Sequence, residues 1–451
     1  MTGLIPGFRG EVIRRGDAGF SAARSIWNGQ VDRRPEVIAG CRDAADVAAA
    51  IRYARGAGLP LSVRGGGHNV AGHALCDAGL VVDLSAMRGV VLDHAAGRVR
   101  VQGGARLGDL DAVTVPEGCL VPAGIVTDTG IGGLTLGGGI GWASRRFGLT
   151  CDHLTEAELV TADGRILVAS EDDTPELLWA LRGGGGNFAV VTRFTFRTRR
   201  ISPSVVAGFV VYPLDREVLA GLAAVAALND PAITTITFLR LAPPLPWMPA
   251  AVVGEPVIMV GVVHTGDNET ALRAVDPLRR LGASHVDTIA PAPFLSHQAV
   301  LDAANPAGHR YFWSSQYVDT LNADLVELLI DQARSLSAPG SLIALFQLGG
   351  AVANPDAASC VPFRSASWLV TYGSHWLEPA EDSLHAAWTR TAVRAAAGFG
   401  LDGGYTNFES DHHRTAPFPA PVLQRLAAVK RSFDPENVFC RNLNIPPGQD
   451  N

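Results

Sequence analysis

Three glycines and a histidine follow directly on an apolar run: Leu59-Pro60-Leu61-Ser62-Val63 leads into Arg64-Gly65-Gly66-Gly67-His68-Asn69. Glycine admits left-handed backbone and lets N–H groups approach a ligand closely. Successive N–H groups form a concave anion site, and Arg64 adds a fixed, planar positive charge. The segment therefore reads as a strand running into a loop that holds a phosphate or pyrophosphate. The nucleophilic imidazole of His68 stands beside whatever that phosphate carries. Taken alone, the pattern is equally a glycine-rich turn with an incidental histidine.

A second cluster shifts that balance. Eight glycines fall between Gly124 and Gly141. Each interior glycine costs a helix or strand roughly 0.5–1 kcal/mol, so the expectation is irregular backbone packed against a large flat ligand. A third cluster, Gly183-Gly184-Gly185-Gly186-Asn187-Phe188, precedes the strand-like Ala189–Phe196. A dinucleotide-binding βαβ turn is the competing reading of Gly130-x-Gly132 and Gly137-x-Gly139. It fails because the flanking sequence is not strand-then-helix.

The 451 residues suffice for two domains, or one with an insertion, and 47% hydrophobic residues provide a core. A net charge of −7 without a long basic run excludes nucleic acid as the main partner. No apolar run is long enough for a membrane span, and Met1–Phe20 has no secretory h-region. The six cysteines form no CxxC pair, so neither a metal centre nor a disulfide framework is expected. These features together imply a cytoplasmic protein. His412-His413 looks like a metal pair, but adjacent residues rarely converge on one ion, and no metal is expected.

Asp43 opens a helix through Ala54, followed by a strand at Leu61–Val63 and another at Leu80–Leu84. Hairpins are expected at Val90–Gln102 and Glu158–Ala169, and short helices at Leu107–Val113 and Glu176–Leu181. From about Ile201 strands alternate with helices. Strands are expected at Thr234–Leu241, Val257–His264, Tyr311–Val318, Ser341–Leu348 and Ser365–Tyr372. The helices are expected at Glu217–Leu228, Glu269–Leu281, Asn322–Leu336 and Ser383–Ala397. This predicts one open antiparallel sheet with helices on one face.

The RGGGHN loop, the Gly130–Gly141 cluster, Gly186-Asn187-Phe188 and the C-terminal Asp434-Pro435-Glu436-Asn437…Asn442-Leu443-Asn444 resemble a known family. It is the berberine-bridge-enzyme-like branch of the vanillyl-alcohol-oxidase type flavoproteins. The resemblance covers nearly the whole chain. It implies an α+β protein: a two-part FAD-binding domain (1–202, rejoined by 412–451) and a substrate domain (203–411) whose large antiparallel sheet is backed by helices.

The resemblance further implies FAD bonded covalently to His68, with Arg64, Gly65, Gly66, Gly67, Asn69 and His73 around the cofactor. Thr127, Asp128, Thr129, Gly132, Gly133, Gly138, Gly141, Val190 and Val191 complete the cradle, and Asn442 and Asn444 return to the ring. Members with a second, cysteinyl link carry Gly-x-Cys where this chain reads Gly124-Ile125-Val126, so one link is expected.

A flavin of this kind takes hydride from a C–H bond next to a hydroxyl or amine nitrogen, while a base takes the accompanying proton. The implied activity is an oxidase for a small organic alcohol, amine or heterocycle, with dioxygen as acceptor and hydrogen peroxide as product. The chain would act as a monomer or homodimer. A sugar or oligosaccharide oxidase and a flavin-scaffolded non-redox cyclase are the alternatives. Relatives place a catalytic tyrosine in a Tyr-x-Asn-Tyr stretch of the last sheet strand. Here it reads Tyr405-Thr406-Asn407-Phe408, so that role is vacant. Tyr372 and Tyr405 are the candidate bases; Tyr311, Trp313 and Asn407 are candidate substrate contacts.

Overall fold

The computed structural model describes residues 5–228, 230–401, 403–411 and 418–448. His412 and His413 lie outside the described residues. The strands Val37–Gly40, Leu80–Asp83 and Leu61–Arg64 are parallel neighbours, and Glu11–Arg14 adds an antiparallel edge. Their crossover helix, Ala44–Gly56, starts where Asp43 accepts a hydrogen bond from the Asp46 N–H at 3.0 Å. It buries Val47, Ala50, Ile51 and Ala54 against the sheet. A second sheet of five antiparallel strands runs Val90–Asp93, Arg98–Gln102, Val190–Arg197, Leu154–Val160 and Ile166–Ser170.

The third sheet has eight strands, all pairings antiparallel. Its order is Val286–Asp287, Ser204–Pro213, Pro256–His264, Ile233–Leu241, Leu342–Gln347, Trp368–Trp376 and Arg310–Val318, with Ala290–Pro293 also on the Ser204–Pro213 strand. Side chains alternate between its faces. Leu239, Ile343, Leu345, Val370 and Tyr372 turn to the helices Arg216–Ala226, Ala323–Arg334 and Asp382–Ala395, where they meet Leu219, Leu222, Leu325, Leu329 and Val393. The opposite face looks toward the glycine clusters. The predicted sheet with helices on one side is thus present.

Two local expectations need correction. The helix foreseen over Glu269–Leu281 is two, Asn268–Ala274 and Asp276–Arg279, because Pro277 cannot donate into the preceding turn. The second glycine cluster does contain a short helix, Ile131–Leu136, despite Gly132 and Gly133. The chain closes through the helix Ala420–Phe433, whose Leu426 and Val429 share a core with Phe188 and Phe194. Among the described residues no helix is long and apolar enough to cross a membrane, and among them no cluster of three His, Cys, Asp or Glu is placed to hold a metal.

Asp111 is an ionisable group in this frame with no counter-charge among the described residues. It is 3% exposed in the helix Leu107–Thr114, its Oδ2 has no partner among the described residues, and burial pushes its pKa up to about 7 from 3.8. The folded state holds this proton more tightly than the unfolded chain. Its stabilising effect is complete below the unfolded value and is lost as pH rises toward the folded one. Asp111→Asn should therefore unfold at the parent's temperature near about pH 4 and several degrees higher near about pH 8. Identical melting curves at both values would show that Asp111 carries no such penalty.

Candidate active site

The loop after Leu61–Arg64 lies at the carboxyl end of a parallel strand, where open α/β sheets bind ligands. No acceptor among the described residues takes the backbone N–H groups of Gly65, Gly66, Gly67, His68 or Asn69. Five such donors in succession form an anion nest. The loop presses on the second cluster backbone to backbone: a Cβ on Gly66 would lie 2.5 Å from Gly130 N and Cα. Gly67 has φ +68°, a conformation that favours glycine.

Arg64 departs from expectation. Its guanidinium turns to Asp83, directly across the parallel ladder, with Nε donating at 3.0 Å, and also bonds Ala23 O. That charge is spent on holding two strands together and does not line the cavity; the backbone beyond it does.

His68 Nε2 lies 3.0 Å from Asp128 Oδ1, and this bond holds the Asp128 carboxyl below the usual range. With Nε2 engaged, Nδ1 is the ring nitrogen left for a ligand. The imidazole stacks on Trp27 at 4.3 Å, Trp27 on Tyr311 at 3.8 Å, and Tyr311 on His375 at 4.6 Å, a ladder of four rings. Trp27 sits in a stretch with no periodicity, and no sequence signal marks it.

These elements enclose one cavity of about 340 Å³. Gly65, Gly66, Gly67, Asn69, His73, Thr129, Gly132, Gly133, Val190, Val191 and Asn442 line it. A Cβ on Gly133 would project into open space, so glycine keeps that floor flat. Thr127 does not line it. Its N–H and hydroxyl both go to the Asp302 carboxylate, tying the cluster to the sheet domain's loop. Gly138 and Gly141 are packing residues off the lining; a Cβ on Gly141 would lie 1.7 Å from Ala123 O. Asn444 is exposed and off the lining.

The eight-stranded sheet supplies the facing wall. Phe238, Arg240, Leu342, Ala344, Phe346, Tyr311, Trp313, Thr371, Gly373 and His375 all point inward by strand alternation. The same alternation removes Tyr372 as a base. It lies between Thr371 and Gly373 and so faces the helices, fully buried in their core. His375, on the cavity side of that strand, was missed. Its signal was the parity of the strand, which runs Trp368–Trp376 rather than ending at Tyr372.

Tyr405 and Asn407 line the cavity, although Thr406–Phe408 forms a 3₁₀ turn and not the sheet strand that the resemblance implied. Tyr405 Oη accepts from Gly139 N and Asn407 Nδ2, both at 2.9 Å. Burial raises its pKa far above the ordinary phenol value. With both lone pairs engaged and the proton retained, Tyr405 is a donor, not a base.

The C-terminal segment is bolted down by Asn187. Its Oδ1 accepts from Ile445 N at 3.0 Å, and its Nδ2 donates to Leu443 O at 3.1 Å. Immediately before these anchors Asn442 carries a buried Oδ1 that has no partner among the described residues. A buried acceptor left unpaired is costly, and a ligand N–H or O–H would satisfy it. Nest, flat floor, open histidine nitrogen and waiting acceptor together fit a flavin dinucleotide.

Residues 35–170 match the family model of the FAD binding domain, and residues 422–446 that of berberine and berberine-like proteins. The chain is 35% identical to (R)-6-hydroxynicotine oxidase of Paenarthrobacter nicotinovorans over 97% of both chains. Its structure superposes on that of 6-hydroxy-D-nicotine oxidase from Arthrobacter nicotinovorans with a TM-score of 0.87 at 30% identity, covering 99% of this chain and 100% of the other. Xylooligosaccharide oxidase from Myceliophthora thermophila shares the fold, with a TM-score of 0.84 at 24% identity over 98% of both chains.

Proposed function

Starting from the berberine-like family of FAD-linked oxidases, to which this chain belongs, we propose that the enzyme oxidises a small organic alcohol, amine or heterocycle and passes the electrons to dioxygen. FAD supplies the hydride acceptor; the protein supplies placement and electrostatics. The observation that carries the reading is the nest of free N–H groups leading straight to His68, whose Nδ1 is open because Asp128 holds Nε2. On this reading Nδ1 is the atom that would hold FAD covalently. No cysteine lines the cavity, and Val126 does, which supports a single link. Residues 1–202 and 412–451 then serve the cofactor, and 203–411 the substrate. The likeness to a hydroxynicotine oxidase supports a compact heterocyclic substrate over an oligosaccharide.

The proton leaving the substrate goes to His375. Burial, His309 and Arg240 push its pKa down to about 4, so its imidazole is neutral at neutral pH and holds an accepted proton only weakly, passing it on. His309 Nδ1 lies 2.7 Å from His375 Nε2 and relays the charge outward. Tyr405 donates its hydroxyl proton to a ligand acceptor. Loss of one such neutral hydrogen bond costs about 0.5–1.5 kcal/mol, so Tyr405→Phe should lower kcat/KM by roughly two- to tenfold. No new titration should appear in the pH–rate profile at neutral pH. Disappearance of a neutral-range titration in that variant would instead make the phenol a base.

Anaerobic mixing of the yellow protein with candidate alcohols, amines and heterocycles tests the reading. Bleaching by one of them, with peroxide released on readmitting air, is the expected result. A protein that stays oxidised with every candidate, while still converting one of them, would favour the non-redox cyclase.

A further inference from the structure

The substrate wall has a charge asymmetry that hydride chemistry does not require. Among the described residues the cavity lining carries Arg240, Arg441 and three histidines, and no aspartate or glutamate. Arg441 belongs to the C-terminal segment beside Asn442. Arg240 stands alone on the sheet. Its Nε donates to Leu241 O at 3.2 Å, and no carboxylate among the described residues lies within ion-pair distance. By contrast Arg64 and Arg364, comparably enclosed, each pair with an aspartate.

Ladder register fixes where that charge sits. Arg240 opposes Leu342, Leu342 opposes Gly373, and Gly373 opposes Trp313. The four form one row across the sheet on its cavity face. Three strand steps separate Arg240 from Trp313, about 14 Å at the usual spacing. The aromatic end of the row adjoins Tyr311 and, through Trp27, His68. In the middle of the row the Trp313 indole leans over Gly373, where a Cβ would lie 3.2 Å from its Cδ1 and Nε1.

An uncompensated guanidinium in an apolar cavity is unfavourable until an anion meets it. Desolvation alone already drags the Arg240 pKa down to about 10. A planar fork of donors matches a carboxylate in two parallel hydrogen bonds.

Taking the oxidase reading as given, we propose that the substrate is an organic acid, its carboxylate received by Arg240 while its oxidisable carbon lies toward the Trp313 end. A cationic amine is disfavoured at this wall, since Arg240 and His375 offer it no counter-charge. The residue is thus a determinant of specificity, three strand steps from the Trp313 end of the row.

Benzoate and benzamide, equal in shape and different in charge, are suitable probes. Calorimetric titration of the flavin-loaded protein should show benzoate binding at least tenfold tighter. Charge-assisted hydrogen bonds are worth about 1.5–3 kcal/mol, so Arg240→Met should weaken benzoate roughly ten- to hundredfold and leave benzamide unchanged. Arg240→Lys should keep part of the preference. Equal affinity of the two probes for the parent protein, or an equal loss for both in Arg240→Met, overturns the proposal. So does a variant whose flavin potential shifts while the benzoate preference stays intact. A colourless preparation would remove the oxidase reading itself, whereas equal affinities in a yellow protein remove this inference alone.

Discussion

His68→Ala releases its yellow colour into the supernatant on acid precipitation, whereas the parent protein keeps it in the pellet. That is the expected result if the imidazole is the tether. The nest at Gly65–Asn69, the Gly133 floor and Asn442 Oδ1 remain in the variant, so FAD still binds, now reversibly. A histidyl bond withdraws electron density from the ring and makes it a stronger oxidant. Its loss should lower the midpoint potential by about 30 mV or more, a tenfold change for a two-electron couple. Turnover should fall with the potential. Asp128→Asn should slow attachment without abolishing it, because Nδ1 stays open while the partner that orients the ring is weakened. Colour retained in the pellet of His68→Ala would remove the tether assignment.

Lys430→Met should cost about 3–5 kcal/mol of stability, the usual result of stripping one partner from a buried ion pair. The Lys430 and Asp434 side chains are both fully buried, one helical turn apart. All three ammonium protons are used: on Asp434 Oδ2 at 2.6 Å, Asn187 O at 2.7 Å and Phe439 O at 3.1 Å. Asp434 in turn accepts from Val438 N and Phe439 N. One cation thus joins the last helix, the third glycine cluster and the segment that presents Asn442. Removing it strands the Asp434 charge and loosens that acceptor, so flavin retention should fall together with the denaturation midpoint. A loss of about 0.5 kcal/mol or less, the size of an ordinary surface substitution, would contradict this account.

What could be read from the chain was what is local in it. The glycine loop beside His68 is a single run of residues, and its backbone role follows from residue type. The helix at Ala44–Gly56 carries its own cap and stripe. The function of Arg64 was not readable, because its partner Asp83 is brought alongside by strand pairing. Tyr372 and His375 lie on one strand, and only the alternation fixed by its pairing decides which faces the cavity. The Ser204–Pro213 strand escaped notice because it is buried on both faces and shows no alternation. Trp27 enters the ring ladder through a loop with no pattern of its own. Arg240 stands out only once the register places it in a wall without carboxylates.

Peptide mass mapping of the purified protein addresses the central claim most directly. The account predicts that the peptide spanning Arg64–Asn69 carries the added mass of one FAD on His68, and that peptides containing Cys119 and Cys151 are unmodified. An unmodified His68 peptide, with all flavin recovered free or attached to a cysteine, would contradict it.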